Sequence, residues 1–225
     1  MFEKKDIKVY ILLLSAPVLL TIYRYHGYPE FFYKVFSNGY SDVDARLWQF
    51  AVFFVLMFII PFLTIKFGFK EKLSDYGFGL GNVKEGLKWL LTIPLIVVPA
   101  IYLSSKMPDI RVEYPMAKSL LTDTSQLLKY ELAYVVLYYI AWEFFFRGFL
   151  LFGLKDRFGD MNAILIQTIS SCLVHIGKPE GEIIGSIVVG IIFGIIALRT
   201  RSIWYVFAIH ASIGVLTDLF IIYYQ

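Results

Sequence analysis

The chain has 225 residues, of which 58% are hydrophobic and 17% are charged. A soluble domain carries about 25% charged residues, so this composition excludes an ordinary soluble domain. The formal net charge is +3, but no basic stripe with interleaved aromatic residues stands clear of the apolar segments, which excludes a nucleic-acid partner. The single cysteine, Cys172, excludes an intrachain disulfide.

The apolar residues are concentrated in seven blocks of roughly twenty residues, about the length that crosses a bilayer as a helix. In chain order the blocks cover residues 7–23, 47–65, 87–103, 130–152, 161–176, 183–198 and 203–224. The polar stretch 108–128 predicts a short surface helix between the third and fourth blocks. The sequence therefore predicts an all-α fold, a polytopic membrane bundle with about seven transmembrane helices.

The distribution of Lys and Arg residues predicts the orientation of this bundle. With the N-terminus inside, 12 of these residues, including Lys4 and Lys5, lie on the inner side and 8 lie on the outer side. Positive charges are enriched in the cytoplasmic segments of membrane proteins. We therefore expect an integral, multi-pass protein of the cell membrane with a cytoplasmic N-terminus.

The sixth block contains small residues at four-residue spacing, namely Ser186, Gly190 and Gly194. Small side chains on one helix face allow a neighbouring helix to approach closely in a membrane. We interpret this pattern as a packing feature of the bundle.

The fourth block carries two charges, Glu143 and Arg147, within an otherwise apolar run. Their four-residue spacing places them on one helix face, where they can form an ion pair. Each charge alone would cost about 2.5–3.5 kcal/mol at the centre of a membrane helix, and such residues normally face the bundle interior and mark function. The pair therefore identifies a candidate site, with a structural ion pair as the alternative.

Two histidines lie in other blocks, His175 at the end of the fifth and His210 within the seventh. Together with Glu143 they offer a carboxylate and two imidazoles on three spans. Such a set can activate water and stabilise an oxyanion, and it can also bind zinc. The residue types alone leave both chemistries open.

Three short motifs resemble a known family when they are taken in order. The run Trp142-Glu143-Phe144-Phe145-Phe146-Arg147-Gly148 is similar to the Glu-Glu-x-x-x-Arg motif of the CPBP (CAAX protease and bacteriocin-processing, or Abi) family of intramembrane proteases. His175 falls at the family's Phe-x-x-x-His motif, and His210 at its His-x-x-x-Asn motif. The run Leu73-Ser74-Asp75-Tyr76-Gly77 is similar to a loop often seen ahead of that core.

This resemblance implies a helical membrane endopeptidase in which glutamate and histidine activate a water molecule. It gives Glu143 a catalytic role, with Arg147 orienting its carboxylate. It implies that His175 helps to activate the water and that His210 stabilises the oxyanion. It favours a metal-free mechanism with no cofactor, although zinc held by Glu143, His175 and His210 stays open. The implied substrate is a membrane-bound or lipidated peptide.

The chain departs from the family motifs at three positions. Trp142 replaces the first glutamate of the Glu-Glu-x-x-x-Arg motif. Ser171 replaces the phenylalanine of the Phe-x-x-x-His motif, and Gly214 replaces the asparagine of the His-x-x-x-Asn motif. Either Glu143 takes over the role of the base, or another carboxylate does, or the chain is not a protease. Glu182 is a candidate substitute, and a solvated loop acid is the favoured interpretation of that residue.

Two other functions therefore stay open beside the peptidase. A catalytically inactive family member would act as a membrane scaffold or a bacteriocin-immunity factor. A small transporter would use the charged residues as a proton path, although no inverted repeat is visible. We divide the chain into an N-terminal part with transmembrane helices and loops, residues 1–128, and a CPBP-like four-helix core with the candidate site, residues 129–225.

The predicted depths of the site residues conflict with one another. At 1.5 Å per residue, Glu143 and His210 lie roughly 12 Å from the inner ends of their blocks, whereas His175 lies roughly 21 Å from that face. The three residues meet only if the fifth helix starts below the membrane surface, or if the chain after His175 dips inward. Two nearby residues are weaker candidates: Cys172 as a nucleophile paired with His175, and Asp218 as a partner of a histidine or part of the outer mouth.

Overall fold

A computed structural model describes residues 6–36 and 39–224, and this part of the chain folds into nine helices. They are α1 (Ile7–His26), α2 (Pro29–Val35), α3 (Asp42–Phe69), α4 (Val83–Ser104), α5 (Pro108–Glu113), α6 (Leu127–Phe158), α7 (Asp160–Leu173), α8 (Glu180–Thr200) and α9 (Trp204–Tyr223). The predicted all-α fold is confirmed, and α5 is the short helix predicted between the third and fourth blocks. Lys4 and Lys5 lie outside the described residues.

Six of these helices are long and apolar enough to cross a membrane: α1, α3, α4, α6, α8 and α9. The block at 161–176 instead forms α7, which has only 14 helical residues. At 1.5 Å per residue such a helix is about 21 Å long, shorter than the bilayer core of about 30 Å. The described part of the chain is thus a polytopic membrane bundle with six full-length spans and three shorter helices, α2, α5 and α7.

Helix α6 is the centre of the bundle and is longer than predicted. Its 32 residues run from Leu127 to Phe158, six residues beyond the predicted end at Phe152, and 72% of its most apolar stretch is buried. The polar residues near its end do not stop the helix. Gly159, with a positive φ of 78°, makes the turn that leads directly into α7.

The loop between α3 and α4 closes the bundle beneath the start of α9. The backbone N–H of Ile203 donates to the carbonyl of Gly77 (2.9 Å), and that of Asn82 donates to Thr200 (2.7 Å). The indole of Trp204 donates to the carbonyl of Phe78 (3.1 Å). The last helix therefore begins inside the protein rather than at its surface.

The segment between α4 and α6, residues 105–126, crosses the opposite end of the bundle. Ser119 N–H donates to the Asp42 carboxylate (2.9 Å), and Arg46 Nε donates to the carbonyl of Met116 (3.1 Å). We call residues 105–126 the strap. Its contacts hold Met116 and Tyr114 over the interior of the bundle.

The glycines of α8 pack as predicted. A β-carbon at Gly190 would meet Thr168, and one at Gly194 would meet Ile164, both on α7. The Gln167 side chain also donates to the carbonyl of Gly190 (2.9 Å). Close packing against α8 thus fixes the short helix α7, whose C-terminal end leads to His175.

Candidate active site

The predicted ion pair between Glu143 and Arg147 is present at the middle of α6. Arg147 Nη1 lies 3.2 Å from Glu143 Oε1, and their side chains are 2% and 0% exposed, respectively. The helix has wider, π-helical turns on both sides of the glutamate, at Tyr134–Tyr139 and Phe144–Phe152. Such turns are frequent at functional sites because they redirect side chains within a helix.

His210 of α9 shares the same carboxylate oxygen. Its Nδ1 lies 2.6 Å from Glu143 Oε1, while Glu143 Oε2 is buried without a hydrogen-bond partner in the described part of the chain. Because Arg147 already balances the carboxylate charge, we assign a neutral imidazole with its proton on Nδ1. The other nitrogen, Nε2, then carries a free lone pair.

His175 lies in the turn that follows α7. Its Nδ1 is 2.9 Å from the backbone carbonyl of Ser171. A carbonyl only accepts hydrogen bonds, so in the neutral imidazole the proton is on Nδ1 and the lone pair is again on Nε2. Ser171, the departure from the motif phenylalanine, therefore contributes its backbone rather than its side chain to this contact.

Trp142 contacts both histidines. The indole makes edge-to-face contacts with His175 (5.3 Å between ring centroids) and with His210 (5.7 Å). The residue that replaces the first motif glutamate is thus placed at the centre of the site. The Trp142 indole nitrogen is buried and has no hydrogen-bond partner among residues 6–36 and 39–224.

The two histidines and Trp142 line an interior cavity of about 490 Å³ between α4, α6, α8, α9 and the strap. Most of its wall is apolar or aromatic, as is usual for binding cavities. Its polar lining residues include Tyr114, Tyr134, Tyr138, Tyr139, Lys178, Glu182, Ser186 and Thr217. Glu143 and Arg147 lie behind this wall, so the carboxylate contacts the cavity through His210.

The predicted conflict in depth disappears because α6 is longer than the fourth block. Glu143 lies 15 residues before Phe158, and His175 lies 15 residues after Asp160. Since α6 and α7 are joined by the single residue Gly159 and contact each other along their length, the two side chains reach the same level. The error lay in ending the fourth span at residue 152.

Glu182 is not the solvated loop acid that we favoured from the sequence. It lies in the first turn of α8, lines the cavity, and its side chain is 20% exposed. The Tyr114 hydroxyl donates to its Oε1 (2.7 Å), and Lys178 Nζ lies 3.9 Å away. Burial, and then the charge of Glu182, raise the pKa of Tyr114 well above its ordinary value, so this hydroxyl stays protonated.

The weaker candidates do not join the site. Cys172 Sγ approaches the carbonyl of Ile183 (4.0 Å) and does not line the cavity. Asp218 is completely buried, and neither of its carboxylate oxygens has a hydrogen-bond partner within the described ranges. Among the described residues, no group of three or more His, Cys, Asp or Glu side chains is arranged to hold a metal ion.

Sequence reasoning missed Tyr139. Its ring contacts His210 (4.8 Å between centroids), and its hydroxyl bonds to that of Tyr134 (3.0 Å). A β-carbon at Gly214 would overlap this hydroxyl. Tyr139 therefore fills the space beside His210 that a side chain at position 214 would take. In the sequence, the glycine at position 214 is the only indication that another side chain packs there.

These features define a multi-pass helical membrane protein with a carboxylate–imidazole site inside the bundle. Residues 124–216 match the family described as type II CAAX prenyl endopeptidase Rce1-like, so the chain carries a domain of this CPBP family. The match covers α6, α7, α8 and most of α9, including all four candidate residues. No curated protein and no solved structure is significantly similar to the chain.

Proposed function

We propose that the protein is an intramembrane endopeptidase that hydrolyses a peptide bond of a membrane-associated substrate. The observation that carries the proposal is the 2.6 Å contact between His210 Nδ1 and Glu143, which leaves the other nitrogen of this cavity-lining imidazole free to accept a proton. An oriented imidazole with a free lone pair is the usual general base of peptide hydrolysis.

In this mechanism His210 Nε2 removes a proton from a water molecule as the oxygen attacks the scissile carbonyl carbon. The resulting imidazolium is stabilised by Glu143, and Arg147 keeps that carboxylate in place. This division of roles follows from burial: Glu143 is 0% exposed and has no direct access to the cavity. It differs from the roles that the family resemblance implies, in which His210 stabilises the oxyanion.

The other cavity residues complete the reaction. His175 Nε2 accepts the second hydrogen of the water and so fixes its position. The Tyr134 hydroxyl, which lines the cavity and keeps its own proton while it accepts from Tyr139, donates to the oxyanion of the tetrahedral intermediate. When the C–N bond breaks, His210 returns its proton to the departing amine, so that the products are a carboxylic acid and an amine.

One observation favours a second function. The Trp142 indole packs against both imidazoles, where it narrows the space for a water and a peptide carbonyl. A member of the family that binds a peptide without cutting it would act as a scaffold or an immunity factor. This alternative predicts binding in the same cavity with no product.

The test uses the purified protein in liposomes with a set of lipidated and single-span reporter peptides, and mass spectrometry to detect products. We expect Glu143→Gln and His210→Gln each to lower the rate by about 10²–10⁴-fold, the usual contribution of general acid–base catalysis. His175→Gln lowers it as well. His26→Gln is the control because this third histidine is exposed, at the end of α1.

The outcomes separate the two functions. Full activity in all three site variants would overturn the peptidase mechanism. Peptides that bind the wild-type protein but yield no product would support the scaffold. A chelator leaves the rate unchanged if no metal takes part, and metal analysis of the same sample checks that expectation.

A further inference from the structure

A second cavity, of about 750 Å³, lies on the other side of the turn that carries His175. It is formed between the C-terminal half of α1, the start of α2, and the end of α7 with the residues that follow it. Val174 and Lys178 line both this cavity and the candidate active site. The two cavities are therefore separated by one short stretch of chain.

The walls of the second cavity change from apolar to basic along α1. At one end they consist of apolar side chains, including Pro17, Leu20, Leu173 and Ile176. At the other end, where α1 finishes, Arg24 and Arg46 reach the same space. Leu173 and Ile176 are 56% and 68% exposed, so the apolar end is open toward the surrounding lipid.

Neither arginine forms an ion pair with a carboxylate in the described part of the chain. The Arg24 guanidinium lies over the ring of Tyr28 (4.4 Å). Arg46 donates to two neutral acceptors, the carbonyl of Met116 (3.1 Å) and the side-chain oxygen of Gln49 (2.8 Å).

The remaining charged groups leave the cavity positive. Lys178 and Glu113 also line it, but they neutralise each other at 2.6 Å. Glu30 is the other lining acid, so three cations against two carboxylates leave a net charge of +1.

We propose that this cavity binds one anionic phospholipid, with its phosphate at Arg24 and Arg46 and an acyl chain against the apolar wall. Guanidinium groups bind phosphate in a planar, two-pronged manner, and basic pockets between membrane helices bind anionic headgroups. A single negative headgroup matches the net charge, whereas a zwitterionic lipid would add an ammonium group to the cationic end. The proposal does not depend on the proposed peptidase activity.

The test measures lipid binding directly. The delipidated full-length protein is titrated with phosphatidylglycerol or with phosphatidylcholine of the same acyl chains, and bound lipid is counted by native mass spectrometry. We expect the wild-type protein to bind phosphatidylglycerol at least tenfold more tightly. The double variant Arg24→Gln/Arg46→Gln loses this preference. Arg24→Gln alone reduces the preference and leaves intact the contact that Arg46 makes to the strap, because Arg24 is a separate, exposed side chain.

The matched control is Lys34→Gln/Lys106→Gln, which removes two positive charges outside the cavity. Lys106, like Arg24, lies over a tyrosine ring (4.2 Å from that of Tyr102). Equal binding of the two lipids by the wild-type protein, or an equal loss of preference in the control, would overturn the proposal. Displacement of phosphatidylglycerol by inorganic phosphate at a similar concentration would also overturn it, since the site would then bind a soluble anion.

Discussion

Helices α6 and α4 are both apolar enough to cross a membrane, yet they occupy opposite kinds of position in the bundle. In the most apolar stretch of each, 72% of the residues of α6 are buried but only 11% of those of α4. The middle of α6 contains Glu143 and Arg147, whereas α4 has no charged residue beyond Lys88.

The difference shows where a membrane protein can hold ionisable groups. Neighbouring helices surround α6, so the carboxylate of Glu143 finds Arg147 and His210 as partners inside the protein. Most of α4 faces the lipid, where a charge would have no such partner. The charged residues in an apolar block therefore identify the central helix, although composition alone makes α4 and α6 look alike.

The largest expected loss of stability comes from removing Arg147, the positive member of the buried pair in α6. Arg147→Met leaves the Glu143 carboxylate in an apolar interior without its main counter-charge, which we expect to cost about 3–5 kcal/mol of unfolding free energy. Unfolding of the purified protein in mixed micelles measures this loss. If the cause is the unpaired charge, Glu143→Gln added to Arg147→Met restores most of the stability, and no recovery would contradict this explanation.

A smaller loss of stability is expected when the contact between α6 and α9 is overpacked. Gly214→Ala places a methyl group where the Tyr139 hydroxyl lies, so either the Tyr139 ring must shift or the two helices must move apart. We expect a cost of about 1–3 kcal/mol, the usual range for overpacking. Gly185→Ala, on α8, is the control because a β-carbon there meets no other atom within 4 Å. Equal stability of the two variants would show that α9 adjusts to the extra methyl without strain.

Much of the bundle was predictable because apolar blocks report directly on helices that cross a membrane. The blocks predicted the helical fold, and the spacing of Glu143 and Arg147 predicted their ion pair. Helix ends were less predictable, since Lys155 and its neighbours suggest a span end while the backbone continues to Phe158. That one error produced the apparent mismatch in depth between Glu143 and His175.

The arrangement around the site was predictable only in part. Motif order brought Glu143, His175 and His210 together as candidates, but their partners depend on side-chain directions that a sequence does not contain. The contact between Glu143 and His210, the packing of the Trp142 indole against His175, and Tyr139 in front of Gly214 all arise between segments that are distant in the sequence. The same holds for Glu182, which looked like a loop acid until its helix was seen to begin at Glu180.

The smallest effect is expected on the lipid-facing side of α4. Leu95 is 75% exposed, so in Leu95→Ala lipid chains replace the contacts that the side chain loses, and the unfolding free energy should change by less than about 0.5 kcal/mol. The matched change Leu154→Ala removes a completely buried side chain from α6 and should cost about 2–5 kcal/mol. The same micelle unfolding measurement compares the two. A similar loss in both variants would mean that α4 is covered by protein in the membrane, because only a covered leucine leaves a cavity that lipid cannot fill.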